Sequence, residues 1–125
     1  MGVIHSTKRP LLIQGIYYVI TGIWPILNIT SFVQVSGPKI DLWLVKTVGV
    51  LIGVIGGSLL IHYFNKKASL TLEIKFLSIA SAVCLGFIDV YYVAIDRVWD
   101  VYLFDAIAQA VILFMWAIHF LRLKR

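Results

Sequence analysis

The chain has 125 residues, of which 61% are hydrophobic and 14% charged, with a formal net charge of +5. Its mean hydropathy of +0.95 is too high for a water-soluble domain of ordinary composition. The lysines and arginines fall mainly between apolar runs rather than along one face, which excludes nucleic acid as a partner.

Four stretches reach the roughly 20 apolar residues that a bilayer crossing needs: about 11–27, 41–64, 76–95 and 101–121. They take up nearly the whole chain, so residues 1–125 are expected to form a single transmembrane domain. The first follows Lys8 and Arg9, as the apolar region of a signal peptide would. It is long, contains Gln14, Tyr17 and Tyr18, and lacks a small-x-small cleavage site, so it is read as a retained first helix. Pro25, after Trp24, is expected to kink or end it, because proline removes a backbone donor. Residues 28–37 are the longest expected loop, with Phe32 and Val33 suited to rest on the bilayer surface. Pro38 is placed at the first position of the second helix, with Asp41 in its electropositive first turn. Residues 65–69 form a turn, and the third helix begins near Leu70 with Glu73 and Lys75 at its interfacial end. Residues 96–100 make a second tight turn, with Asp100 as the expected N-cap of the fourth helix. Tyr91, Tyr92, Trp99 and Tyr102 gather there as an aromatic belt does. Short loops join neighbours that run in opposite directions. The expected fold is therefore all-α, an integral membrane antiparallel four-helix bundle.

Charge placement orients it. Lys8 and Arg9 precede the first crossing, Lys66 and Lys67 follow the second, and Arg122, Lys124 and Arg125 follow the fourth. An even number of crossings puts these three places on one side. The other loops hold Lys39, Asp41, Asp96, Arg97 and Asp100, which nearly cancel. The positive-inside rule then describes a multi-pass inner-membrane protein with cytoplasmic N- and C-termini and the lipid bilayer as its first partner. Cys84 is the only cysteine, so no intramolecular disulfide is possible.

Side chains three, four and seven apart share a helix face. Each crossing then carries one polar or small-residue stripe: Gln14, Tyr17, Tyr18, Thr21 and Pro25; Lys46, Gly49, Gly53 and Gly57; Ser78, Ala82, Gly86, Asp89 and Tyr92; and Tyr102, Asp105, Gln109, Ile112, Trp116 and His119. A charge in hydrocarbon costs about 2.5–3.5 kcal/mol even on lenient scales, so Lys46, Asp89 and Asp105 should turn inward. They lie at similar depth, one to two turns from the outer helix ends. The expectation is a polar core in the outer half, with Lys46 facing Asp89 and Asp105. Tyr18, Thr21, Tyr92, Tyr102 and Gln109 would satisfy the remaining hydrogen-bonding groups. Such a cluster serves as an ion pair that fixes helix register, as the floor of a ligand pocket, or in proton or ion handling. The glycines are assigned to close packing inside the bundle, with Gly56 set aside as a contact for a second copy. His5, His62 and His119 fall towards the cytoplasmic side without a shared face, so no metal or cofactor is expected. No phosphate loop or nucleophile motif is present.

The segment Ser36-Gly37-Pro38-Lys39-Ile40-Asp41-Leu42-Trp43-Leu44-Val45-Lys46-Thr47-Val48-Gly49 resembles a signature of small uncharacterised four-helix bacterial membrane proteins. Gly22-Ile23-Trp24-Pro25, Asp89-Val90-Tyr91-Tyr92-Val93-Ala94 and Tyr102-Leu103-Phe104-Asp105-Ala106 fit the same pattern. That resemblance implies the architecture and brings no activity. The architecture is also similar to DoxX-like and EXPERA-type bundles; the latter bind or isomerise sterol-like ligands with acidic residues. The leading functional expectation is an outward-facing polar pocket that binds a small amphipathic molecule or lipid, or an accessory subunit of a larger membrane complex. The alternatives are a proton-coupled transporter acting as a homo-oligomer, and a small EXPERA-like membrane enzyme with Asp89 or Asp105 as its acid or base.

Overall fold

A computed structural model describes residues 8–123, which leaves His5, Lys124 and Arg125 outside the described residues. Five helices follow in order: α1 (Arg9–Leu27), α2 (Ile29–Ser36), α3 (Leu42–Phe64), α4 (Leu72–Ala94) and α5 (Tyr102–Leu123). Of these, α1, α3, α4 and α5 are long and apolar enough to cross a membrane.

Helix α1 starts at Arg9, and Pro10 follows with a fixed φ that suits the first turn. Pro25 does not end it. The Asn28 N–H still reaches the Trp24 carbonyl at 2.9 Å, so helix continues to Leu27. Asn28 then serves two helices. Its side chain accepts from the Ser31 N–H at 3.1 Å and caps α2, a helix where a loop was expected. Two further contacts dock α2 on α1: the Trp24 Nε1–H donates to Ser31 Oγ at 2.8 Å, and the Trp24 and Phe32 rings meet edge-on. Asn28 and Ser31 act as a capping pair, which turns small and polar residues typical of a loop into a helix start. Helix α2 stops at Gly37, whose φ of 101° suits glycine. A Cβ there would also meet the Trp99 ring at 2.8 Å.

The chain is not helical between Gly37 and Asp41, so Pro38 does not open α3; that helix begins at Leu42 with Asp41 at its N-cap position. Thr71 caps α4, accepting from the Ile74 N–H at 3.3 Å, and α4 starts four residues before the 76–95 stretch. Its far end closes with bonds from Arg97 N–H to the Tyr92 carbonyl and from Asp96 N–H to Val93. Asp96 takes the left-handed position of that Schellman motif, φ 59°, which glycine usually fills. Asp100 accepts from Leu103 N–H through its backbone carbonyl, and α5 begins at Tyr102.

Helix α1 is the most buried of the four long helices, because it packs on α3 and also meets α5, while α4 packs on α5. Contact between α3 and α4 is slight. Glycines let α1 and α3 approach backbone to backbone. A Cβ on Gly22 would lie 2.5 Å from the Gly49 carbonyl oxygen, and one on Gly15 would lie 3.1 Å from that of Gly56. The expected glycine ridge is thus corrected: Gly56 packs inside the chain, Gly53 meets α1 through its backbone, and a Cβ on Gly57 would meet nothing within 4 Å. Seven residues return a helix to within about 20° of its starting azimuth, so 49 and 56 share the contact line while 57 turns away. Lys8 closes this pair at the other end. It is only 3% exposed, and its Nζ donates to the carbonyls of His62 and Asn65 at 3.2 and 2.9 Å. A cation at those last carbonyls also meets the negative end of the α3 dipole.

Candidate functional site

Polar side chains from α1, α4 and α5 meet between the helices. The Tyr18 hydroxyl donates to Gln109 Oε1 at 2.7 Å, and the Tyr17 hydroxyl donates to Asp105 Oδ1. The Gln109 amide donates to the same carboxylate at 3.4 Å. These contacts follow from the four-residue spacing of 105 and 109 on α5, opposite the adjacent tyrosines of α1. Asp89, from α4, is 7% exposed and lies next to Asp105. Its Oδ2 has no hydrogen-bond partner in the structure. Facing carboxyls in apolar surroundings are held apart from water, so their ionised forms are costly unless paired.

A second network lies one to two turns further from α2. Gln14, fully buried, donates through Nε2 to the Ser78 carbonyl at 2.8 Å and accepts from Trp116 Nε1–H at 3.0 Å. One amide therefore ties α1 to both α4 and α5. His119 is buried beside it, edge-on to the Trp116 ring. His62 instead contacts the Ser69 carbonyl through Nε2 at 3.1 Å.

Above the Asp105 carboxylate lies a half-open cavity of about 240 Å³. Tyr17, Tyr18, Thr21 and Trp24 of α1 line it, with Phe32, Val35 and Ser36 of α2, Ile52 of α3, Leu85 of α4, and Val101, Tyr102, Phe104, Asp105 and Gln109 around the start of α5. Most of this wall is apolar or aromatic, with hydroxyl, amide and carboxylate groups gathered on the α1–α5 side. At the mouth, Lys39 Nζ donates to the carbonyls of Ser36 and Gly37 at 3.0 and 2.9 Å. It also lies 5.1 Å from the Tyr102 ring centroid and 6.0 Å from that of Phe32. Partial burial holds this ammonium below the ordinary lysine value.

Of the residues singled out from sequence, Tyr18, Thr21, Tyr102, Asp105 and Gln109 line this cavity and Asp89 lies against Asp105. Two do not join them. Lys46 is exposed on α3, and no ion pair to Asp89 or Asp105 forms among the described residues. The physical reason is the helix order: α3 packs chiefly on α1, while both carboxylates belong to the α4–α5 pair. Lys46 lies three residues before Gly49, about 60° off the glycine contact line at 100° per residue. Tyr92 is 42% exposed and packs edge-on against Tyr91 instead. Tyr17 was placed on the polar stripe but not among the site residues, although its spacing to Thr21 carried that signal. Phe32, Val35 and Ser36 were assigned to a surface loop, and only the capped helix α2 brings them to the cavity.

Among the described residues, no three His, Cys, Asp or Glu side chains gather closely enough to hold a metal ion. Comparison with protein-family models, curated proteins and solved structures finds no match.

Proposed function

We propose that the chain is a multi-pass inner-membrane protein, an antiparallel four-helix bundle with both termini cytoplasmic, whose outward-facing pocket binds a small amphipathic molecule. The carrying observation is the cavity of about 240 Å³, with aromatic walls and a few polar groups converging on Asp105. That composition is typical of small-molecule sites. The ligand's apolar body would lie against Trp24, Phe32 and Val35 and its polar end would face Asp105 and Gln109. The orientation rests on Lys8, Arg9, Lys66, Lys67 and Arg122, which lie towards the helix ends away from α2. Binding is favoured over proton-coupled transport by the groups beyond Gln109. Gln14 and Trp116, which stand between Gln109 and His119, present amide and indole groups that hold hydrogen bonds but do not exchange a proton at ordinary pH.

Two measurements test this reading. On a Cys84→Ser background, single cysteines at 28–37 and 96–100 should react with a membrane-impermeant maleimide added outside intact cells, and those at 65–69 should not. Labelling of the 65–69 turn from outside would reverse the orientation. Native mass spectrometry of the purified protein should show a bound small molecule that Thr21→Trp, which fills the cavity, removes. If wild type is empty and proteoliposomes show proton flux that Asp105→Asn abolishes, transport replaces binding.

A further inference from the structure

Among the described residues, no cation pairs with the two carboxyls beside the cavity. Asp105 receives only neutral donors, the Tyr17 hydroxyl and the Gln109 amide. Asp89, behind it, keeps Oδ2 unpartnered at 7% exposure. Even one proton shared between two facing carboxyls leaves a negative charge, which in apolar surroundings calls for a positive partner. The cation expected from within the chain, Lys46, is exposed on α3. The mouth adds an independent observation. Phe32 and Tyr102, both lining the cavity, already hold the Lys39 ammonium near their ring centroids. Ring quadrupoles of this kind attract cations. Lys39 itself is engaged by the Ser36 and Gly37 carbonyls and is not free to anchor an anion.

We propose that the pocket selects amphipathic molecules carrying a protonated amine, with the ammonium paired to Asp105 and the apolar body held by Trp24, Phe32 and Tyr102. The inference rests on the binding reading above and adds the charge of the ligand. An ammonium N–H donates to Asp105, and its single positive charge balances the one negative charge that a carboxyl pair sharing a proton keeps. Neutral analogues gain only the apolar contacts. Anionic analogues meet the carboxyl pair and are repelled.

The test uses the full chain in lipid nanodiscs at pH 7, with empty nanodiscs as the partition control. Three probes share one body: 4-phenylbutylamine, 4-phenylbutanol and 4-phenylbutyrate. Titration calorimetry should give saturable amine binding about tenfold or more tighter than the alcohol, because charge-assisted hydrogen bonds exceed neutral ones. The butyrate should bind weakest. Asp105→Asn should erase the amine's advantage while the alcohol still binds. Asp89→Asn leaves the cavity wall intact and one carboxylate at Asp105, so the amine should stay tighter than the alcohol. Lys39→Met should leave amine binding undiminished. Equal binding of alcohol and amine to wild type, or an amine advantage that survives Asp105→Asn, overturns the charge assignment. So does tightest binding of the butyrate with loss in Lys39→Met. In each of those cases, loss of all saturable binding in Thr21→Trp leaves the pocket reading standing. If no probe saturates, or Thr21→Trp binds the amine like wild type, the pocket reading falls and the inference falls with it.

Discussion

Trp116→Ala is expected to cost about 3–5 kcal/mol of folding stability, the range for removing a large buried aromatic side chain. Trp116 is 1% exposed and belongs to the apolar core with Leu11, Tyr18, Leu59, Ala82 and Ile112. Its removal opens a void between α1 and α5 and leaves Gln14 Oε1 without its donor. Two variants separate these effects. Trp116→Phe keeps most of the volume and loses the indole N–H, so it should cost about 1–2 kcal/mol, the scale of side-chain hydrogen bonds inside membranes. Gln14→Leu removes the same bond from the other side, together with the bond to the Ser78 carbonyl. In the double variant the shared bond is lost once, so the two costs should sum to more than the measured total. Unfolding by increasing SDS fraction in mixed micelles, followed by far-ultraviolet circular dichroism, reads all four proteins. Strict additivity would show that Gln14 and Trp116 do not bond.

Gly22→Ala is expected to destabilise the α1–α3 pair by about 1–3 kcal/mol, the usual cost of overpacking a fitted contact. The added Cβ would lie 2.5 Å from the Gly49 carbonyl oxygen and 2.6 Å from the Gly53 nitrogen. Both are backbone atoms, so no side-chain rotation relieves the clash and the helices must separate. Gly49→Ala should behave alike, since its Cβ would lie 2.5 Å from the Gly22 carbonyl oxygen. Gly57→Ala is the control. Its Cβ meets nothing within 4 Å, and alanine should add about 0.5–1 kcal/mol through helix propensity. The same unfolding assay should therefore move in opposite directions for Gly22→Ala and Gly57→Ala. Equal midpoints would mean that α1 and α3 do not meet along these glycines.

Several elements were legible residue by residue. The apolar runs located the four long helices, because crossing length and hydropathy are properties of consecutive residues. Periodicity placed Tyr18, Thr21, Asp105 and Gln109 on inward stripes, and they do line one cavity. Helix α2 was missed because its start depends on one side chain, Asn28, capping across a break that composition reads as a loop. Its position over the cavity depends on Trp24 reaching Ser31.

Which faces are polar is written in residue order, since burying charge against lipid is costly wherever each helix lies. Which polar faces meet depends on how the helices pack. Lys46, Asp89 and Asp105 have matching depths, and depth along a helix is readable from residue number. Neighbour order around the helices is not. It follows from how closely backbones approach, and Gly15, Gly22, Gly49 and Gly56 draw α3 against α1. That contact carries Lys46 to an exposed position and leaves Asp105 of α5 to the Tyr17 hydroxyl and Gln109 to that of Tyr18.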